Sequence, residues 1–190
     1  MSSTAELIET IRKYALVALS KARYAHSIRV AEMSETLCQK FGINPELGKL
    51  CGVAHDMCKE LSDDLLISFA SRDGMPIKDI EKAKPSLLHG RAAAVKLNED
   101  YAVTNRDVLQ AIANHTFGCK DLYDLGKILY VADKIEPGRE HITKEYLDNI
   151  MKMDLNSMTA FVVQENVDFL NARGKAIADD TLELLESLKK

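Results

Sequence analysis

The chain has 190 residues, 46% of them apolar and 28% charged, with 25 basic against 29 acidic side chains and a formal net charge of -4. That length suits one domain with a real hydrophobic core, and the apolar content excludes a disordered chain. The small negative charge offers no basic field for nucleic acid, and no apolar run approaches the roughly 20 residues that span a bilayer.

The opening MSSTAELIETIRKYALVAL carries acidic residues inside its apolar pattern, so it does not read as a signal peptide. Cys38, Cys51, Cys58 and Cys119 form no CxxC pair and read as reduced, mostly buried thiols. Both features are expected of a cytoplasmic protein.

In chain order, Ser3 and Glu6 make a capping-box start, after which Leu7, Ile8, Ile11, Ala15 and Leu19 recur at helical spacing. A second helix is predicted from Lys21 to Phe41, with Val30, Met33 and Leu37 on one face and Gly42 as its stop. Asn44 and Pro45 read as the cap and first position of a third, which carries Leu47, Leu50, Cys51 and Ala54. Further helices are predicted over 62–72, 76–83, 86–98, 105–115, 121–135, 143–151, 154–172 and 180–188. No stretch alternates like a strand. The segment 71–85, with Gly74 and two of the four prolines, is the expected surface excursion. The fold class is therefore all-α. Without a linker or repeat, residues 1–190 read as a single domain.

Four of the five histidines lie in apolar or small-residue settings: His26 in RYAHSIRV, His55 in GVAHDMCK, His89 in LLHGRAAA and His115 in AIANHTFG. His141, in REHITKEY, lacks such framing and reads as exposed. Asp133 in KILYVADKIEP and Asp56 beside His55 share the apolar settings, where a carboxylate costs several kcal/mol unless paired or bound to a cation. One such histidine is ordinarily a core residue satisfied by a backbone carbonyl. Four with two aspartates exceed the needs of a tetrahedral zinc and suit two six-coordinate divalent ions, with iron, manganese or cobalt fitting better than calcium or magnesium. Cys51 and Cys58 flank His55 at helical spacing but read as packing, as does the methionine-rich MKMDLNSMTAFVV.

The ordered set His, His-Asp, His, His, Asp resembles the HD-domain metal-dependent phosphohydrolases. The phrases RYAHSIRVAE, CGVAHDMCKEL, LLHG, AIANHTFG and ILYVADKIEPGR resemble the bacterial YqeK-type family of symmetrical diadenosine tetraphosphatases, over roughly Tyr14 to Leu185. The resemblance implies a helical HD-domain bundle with its metal-ligand core at about 20–140 and the helices of 141–190 packed on it. It implies one metal held by His26, His55, Asp56 and Asp133, and a second by His89 and His115 with Asp56 bridging. Family members are iron-containing. The chain departs from the family pattern at Phe117 in HTFG, where a threonine is usual, and near Leu122 and Tyr123, where a methionine is replaced.

Two divalent ions would bring four positive charges against the two of Asp56 and Asp133, an excess that favours hydroxide and phosphate oxygens. Metal-hydroxide attack on phosphorus is the expected chemistry. Lys59, four residues after His55, would share its face if the helix continues, and Arg23 precedes His26 by three. With Arg139 in EPGR they match the family phrases RxxH, HDxxK and EPxR. Asp56 and Lys59 are the expected catalytic residues, and Arg23, Lys59, Thr116, Gly118 and Arg139 the expected substrate contacts. For Thr116 and Gly118 a simple turn after the helix serves equally well, and Arg91 reads as a solvated charge.

The expected activity is cleavage of diadenosine tetraphosphate into two ADP. The competing readings are an HD phosphohydrolase for another nucleotide, a di-iron HD oxygenase and a non-catalytic nucleotide-binding module. Apolar faces on the later helices suit a homodimer or a monomer's core.

Overall fold

The computed structural model describes residues 3–189, and among these it contains eleven α-helices, one 3₁₀ turn and no strand. The helices are α1 (Thr4–Ala18), α2 (Lys21–Phe41), α3 (Pro45–Ala54), α4 (Asp63–Ala70), α5 (Asp79–Ala83), α6 (His89–Tyr101), α7 (Arg106–Asn114), α8 (Asp124–Ile135), α9 (Lys144–Ile150), α10 (Leu155–Ala172) and α11 (Asp179–Leu188). No helix among the described residues is long and apolar enough to cross a membrane.

The helix ends follow local chemistry. The Glu6 N–H donates to Ser3 Oγ at 3.2 Å while the Ser3 N–H donates to the Glu6 carboxylate at 2.8 Å, which closes the capping box. Gly42 ends α2 in the left-handed region at φ 71°, and Asn44 Oδ1 accepts from the Glu46 N–H at 3.0 Å.

Helices α2 and α3 pack backbone to backbone. A Cβ on Gly52 would lie 2.3 Å from Ala31 Cα, and one on Gly48 2.7 Å from the Ser34 carbonyl oxygen. Two glycines four apart thus form a flat stripe on α3, and this crossing brings His55, just beyond α3, beside His26 of α2. Across them lies α8, which touches α2, α3, α7 and α10. Its Ile128, Leu129, Tyr130 and Ile135 are fully buried, each worth about 1.5–3 kcal/mol of removed apolar surface.

Four expectations need correction. The helix through His55 does not continue: α3 stops at Ala54, and i to i+3 bonds from Met57, Lys59 and Leu61 carry the chain round in tight turns. On a helix, adjacent side chains diverge by about 100°, whereas these turns aim both His55 and Asp56 at one centre. The helix over 76–83 shrinks to α5, and the one over 86–98 is preceded by a 3₁₀ turn, Pro85–Leu88, with α6 opening at His89. Arg91 is not solvated. Its side chain is 11% exposed and binds Asp73 at 2.6 and 2.8 Å, Glu81 at 2.9 Å and the Met75 carbonyl at 2.8 Å, so it clasps the 71–81 excursion.

The thiols behave as expected. Cys38, Cys51 and Cys58 are buried and Cys119 is partly so, all free, and burial pushes Cys58 up to about 12. His141 is exposed, and Met158 packs in the core.

Candidate metal centre

Helix ends build the site. His26 projects from the second turn of α2, His55 and Asp56 follow α3, His89 opens α6, His115 follows α7, and Asp133 sits in the last turn of α8. All four imidazoles and Asp56 are buried, and the Asp133 side chain is 14% exposed. The ring centroids run in a chain, His26 to His55 at 5.4 Å, His55 to His115 at 5.0 Å and His115 to His89 at 4.8 Å.

Hydrogen bonds fix the tautomer of every ring. Nδ1 of His55 meets the Gly52 carbonyl at 2.7 Å, that of His89 the Ser86 carbonyl at 2.8 Å and that of His115 the Ile112 carbonyl at 2.8 Å. Nδ1 of His26 meets the Glu136 carboxylate at 3.1 Å. Carbonyls and carboxylates only accept, so each Nδ1 carries a proton and each Nε2 is the atom turned to the centre, a lone pair whenever the ring is neutral.

Those lone pairs converge on other acceptors. His26 Nε2 lies 3.0 Å from Asp133 Oδ1, and His55 Nε2 lies 3.5 Å from Asp56 Oδ2. Both nitrogens are buried without a hydrogen-bond partner. His89 Nε2 lies 3.1 Å from Asp56 Oδ1 and 3.0 Å from His115 Nε2. A neutral imidazole nitrogen facing a carboxylate in a buried space needs a proton or a metal cation between them. Among the described residues two groups could hold a metal ion, His26 with His55 and Asp56, and Asp56 with His89 and His115, so Asp56 belongs to both. The donors therefore fit divalent ions of the nitrogen–oxygen type. No cysteine belongs to either group.

The electrostatics agree. Burial works against charge on Asp56, yet His55, His115 and His89 hold it well below the usual carboxylate range. Asp133 is likewise held down against burial by Lys134, His26, His55 and Arg139. Burial pushes His115 down to about 3 and lowers His89, so both stay neutral, as ligation requires. For His55 burial is outweighed by Asp56 and Asp133, which raise it.

The ligand cluster opens into a cleft of about 130 Å³ whose wall includes Arg23, Lys59, Thr116 and Arg139. Arg23 Nη1 donates to Asp56 Oδ2 at 2.8 Å, and Lys59 Nζ lies 3.0 Å from His89 Nε2 and 3.9 Å from Asp56 Oδ1. Arg139 Nη2 donates to Asp133 Oδ1 at 2.9 Å, and its Nε to the Asp133 carbonyl at 2.6 Å. Three cations thus face two carboxylates in the cleft, which favours an anionic guest. Gly118 does not line it: at φ 77° it is a turn, and a Cβ there would meet Leu184 of α11 at 2.3 Å. Phe117 lines the neighbouring pocket, its carbonyl accepting from Thr181 Oγ1 at 2.8 Å.

Residues beyond the expected set complete the centre. Glu136, buried and held down to about 2, accepts from Arg29 at 2.5 and 3.1 Å and from the Gly138 N–H at 2.6 Å as well as from His26. Burial alone would raise its pKa; Arg29, His26 and the Gly138 N–H overcome that. Lys134 Nζ binds Asp133 Oδ2 at 2.9 Å and stands 4.1 Å above the Tyr130 ring. Glu136 follows Asp133 by three and Arg29 follows His26 by three, a shared-face spacing that was available in the sequence.

Comparison with known proteins matches the same region. The HD domain family model covers residues 23–138. A symmetrical bis(5'-nucleosyl)-tetraphosphatase of Halalkalibacterium halodurans is 31% identical over 170 residues, 90% of each chain. Proteins of that name from Bacillus subtilis and Staphylococcus aureus are 26% and 33% identical, over 86% and 78% of this chain and 87% and 75% of theirs. A crystal structure from Clostridium acetobutylicum, described as a predicted HD superfamily hydrolase involved in NAD metabolism, superposes with a TM-score of 0.87 at 29% identity, over 95% of this chain and 96% of that one. An HD model spanning the whole histidine–aspartate constellation, relatives at this identity over nearly full length and a shared fold lead to one conclusion: the chain belongs to the HD-domain family and is a hydrolase of that family.

Proposed function

We propose that this protein cleaves diadenosine tetraphosphate at its central P–O–P bridge, giving two ADP. The observation that carries the reading is one cleft lined by His89, His115, Asp56, Asp133 and three cations, with His26 and His55 reaching the same two carboxylates from behind it. The name borne by the relatives supports the choice of substrate and of the symmetrical cut.

His26, His55, Asp56 and Asp133 would hold one divalent ion, and His89 with His115 a second that shares Asp56. The mixed donor set suits iron, with manganese or cobalt as alternatives. Bound there, the ions supply Lewis acidity and lower the pKa of water towards about 7.

The side chains of the chain position the substrate. Arg23 and Arg139 offer forked donors to non-bridging phosphate oxygens, and Lys59 adds a compact charge between the histidines and the cleft. Thr116 lends a hydroxyl at the wall, and Gly118 contributes the turn after it. A water oxygen bonds to one inner phosphorus, and the bridging P–O bond breaks. One ADP leaves as a weakly basic oxyanion while the water's protons pass to solvent. Such a leaving group has little need of a strong general acid, and none is required of the cleft. We also read residues 141–190 as part of the same unit, since α10 lies against α8, the helix of Asp133.

The test is a product analysis. The reduced, metal-loaded protein is incubated with diadenosine tetraphosphate and the nucleotides are resolved by chromatography. ADP is expected as the sole product. AMP with ATP would overturn the symmetrical cut, and no product at all would overturn the substrate.

A further inference from the structure

Beside the phosphate cleft lies a larger pocket of about 440 Å³ that shares Arg139 with it. One wall is a stripe of α10 at i, i+3, i+4 and i+7: Val162, Glu165, Asn166 and Phe169. A stripe at that spacing facing the core would be apolar throughout. Here only Val162 is buried, while Glu165 is exposed and Phe169 stands 50% exposed in an open pocket.

The pocket has a polarity of its own. At the end it shares with the cleft stands Arg139, with Lys134 beside it in the pocket, the two cations bound to Asp133. Its walls offer aromatic surface from Phe169 and Tyr146, and the Arg173 guanidinium lies 4.1 Å from the Phe169 ring centroid. Tyr146 is held in place by its hydroxyl, which donates to Glu165 Oε2 at 2.5 Å. Asn166 Nδ2 donates to the buried Tyr130 hydroxyl at 3.3 Å, which orients the amide and leaves its Oδ1 as an acceptor. Anion-binding groups at one end, aromatic walls and fixed acceptors along α10 match one ligand class: a nucleotide whose base carries an exocyclic amino group. The volume lies within the range of small-molecule sites, about 300–1,000 Å³.

We propose that this pocket holds one nucleobase of the substrate, stacked against Phe169 and Tyr146, while Arg139 carries the adjoining phosphates into the cleft. The inference rests on the nucleotide-hydrolase reading above and adds where the base binds. It makes α9 and α10, outside the residues of the HD family model, the determinants of substrate choice.

The metal-loaded full chain is titrated calorimetrically with ADP and, separately, with inorganic pyrophosphate. Phe169→Ala is expected to weaken ADP binding by about tenfold or more, the worth of one aromatic stack. Its pyrophosphate affinity should stay at the wild-type value, and Phe169→Tyr should restore ADP binding. Unchanged ADP affinity in Phe169→Ala overturns the pocket assignment, as does an equal loss of both ligands, which would mark a purely structural residue. The two readings fail separately. A wild-type protein that yields ADP from diadenosine tetraphosphate, with a KM that Phe169→Ala leaves unmoved, refutes the base pocket alone. Nucleotide binding that depends on Phe169 without any hydrolysis refutes the proposed activity alone.

Discussion

The two halves of the metal centre are braced differently. On the His26 side, Nδ1 is held by a carboxylate, Glu136, itself fastened by Arg29 and the Gly138 N–H. On the His89 and His115 side, both rings are held by backbone carbonyls, and the neighbouring polar groups are Lys59 and Thr116 of the cleft wall. A carboxylate behind an imidazole makes Nε2 a stronger donor and fixes its direction; a carbonyl fixes direction with less electron push. On the proposed two-ion reading, the first half would hold its ion firmly and the second would hold one beside a guest. The one residue common to both is Asp56.

That division sets the order of effects. Asp56→Ala removes the shared carboxylate, so both halves should fail together: metal content falls for both ions and turnover drops about a thousandfold or more. Elemental analysis alongside the ADP-release assay checks this, and a variant that keeps one full equivalent of metal would break the idea of a shared ligand. Glu136→Gln acts on one half only. It retains shape but loses the charge behind His26, and metal affinity should fall about 10- to 100-fold at one site and not at the other. A competition titration against a chelator reads the two sites separately, and equal weakening of both would erase the distinction.

What the sequence made legible follows the same division. The four histidines and two aspartates stood out because apolar neighbours are costly company for polar groups, and the structure gathers all six. The plain expectation for a core histidine, a bond to a backbone carbonyl, also holds for three of them, but on Nδ1, which leaves Nε2 free for the centre. Helix existence and caps were legible for a local reason: Ser3, Gly42, Asn44 and Pro45 act within one turn of themselves. The bracing on the His26 side showed only as spacing, each member three residues from a histidine or aspartate of the set; its pairing was hidden, because Arg29 and Glu136 lie 107 positions apart and only the crossing of α2 over the end of α8 joins them. Lys59 reaches the cleft through turns that helical periodicity missed, and Arg91 is buried by a loop that lies 10 to 18 residues before it.

Acid unfolding of the metal-free protein offers the finest separation of the halves. His115, held near 3 by burial, stays neutral in the folded state while the unfolded chain takes up a proton near 6.5. A depressed histidine of this kind favours folding above 6.5, and its contribution is lost progressively as the pH falls towards 3. Glu136 sits near 2 in the folded state against an ordinary 4.5, so its contribution is present above 4.5 and is lost between 4.5 and 2. His115 should thus begin to weaken the fold at mildly acid pH and Glu136 only below 4.5, where Asp56 and Asp133 add to the same fall, while His55, raised by Asp56 and Asp133, runs the opposite way above 6.5. Urea midpoints measured on chelator-treated protein across that range should show His115→Asn flattening the upper limb, with Glu136→Gln making the lower limb shallower. An upper limb that responds to Glu136→Gln instead would mean that the two halves titrate as one network, and the contrast between them would dissolve.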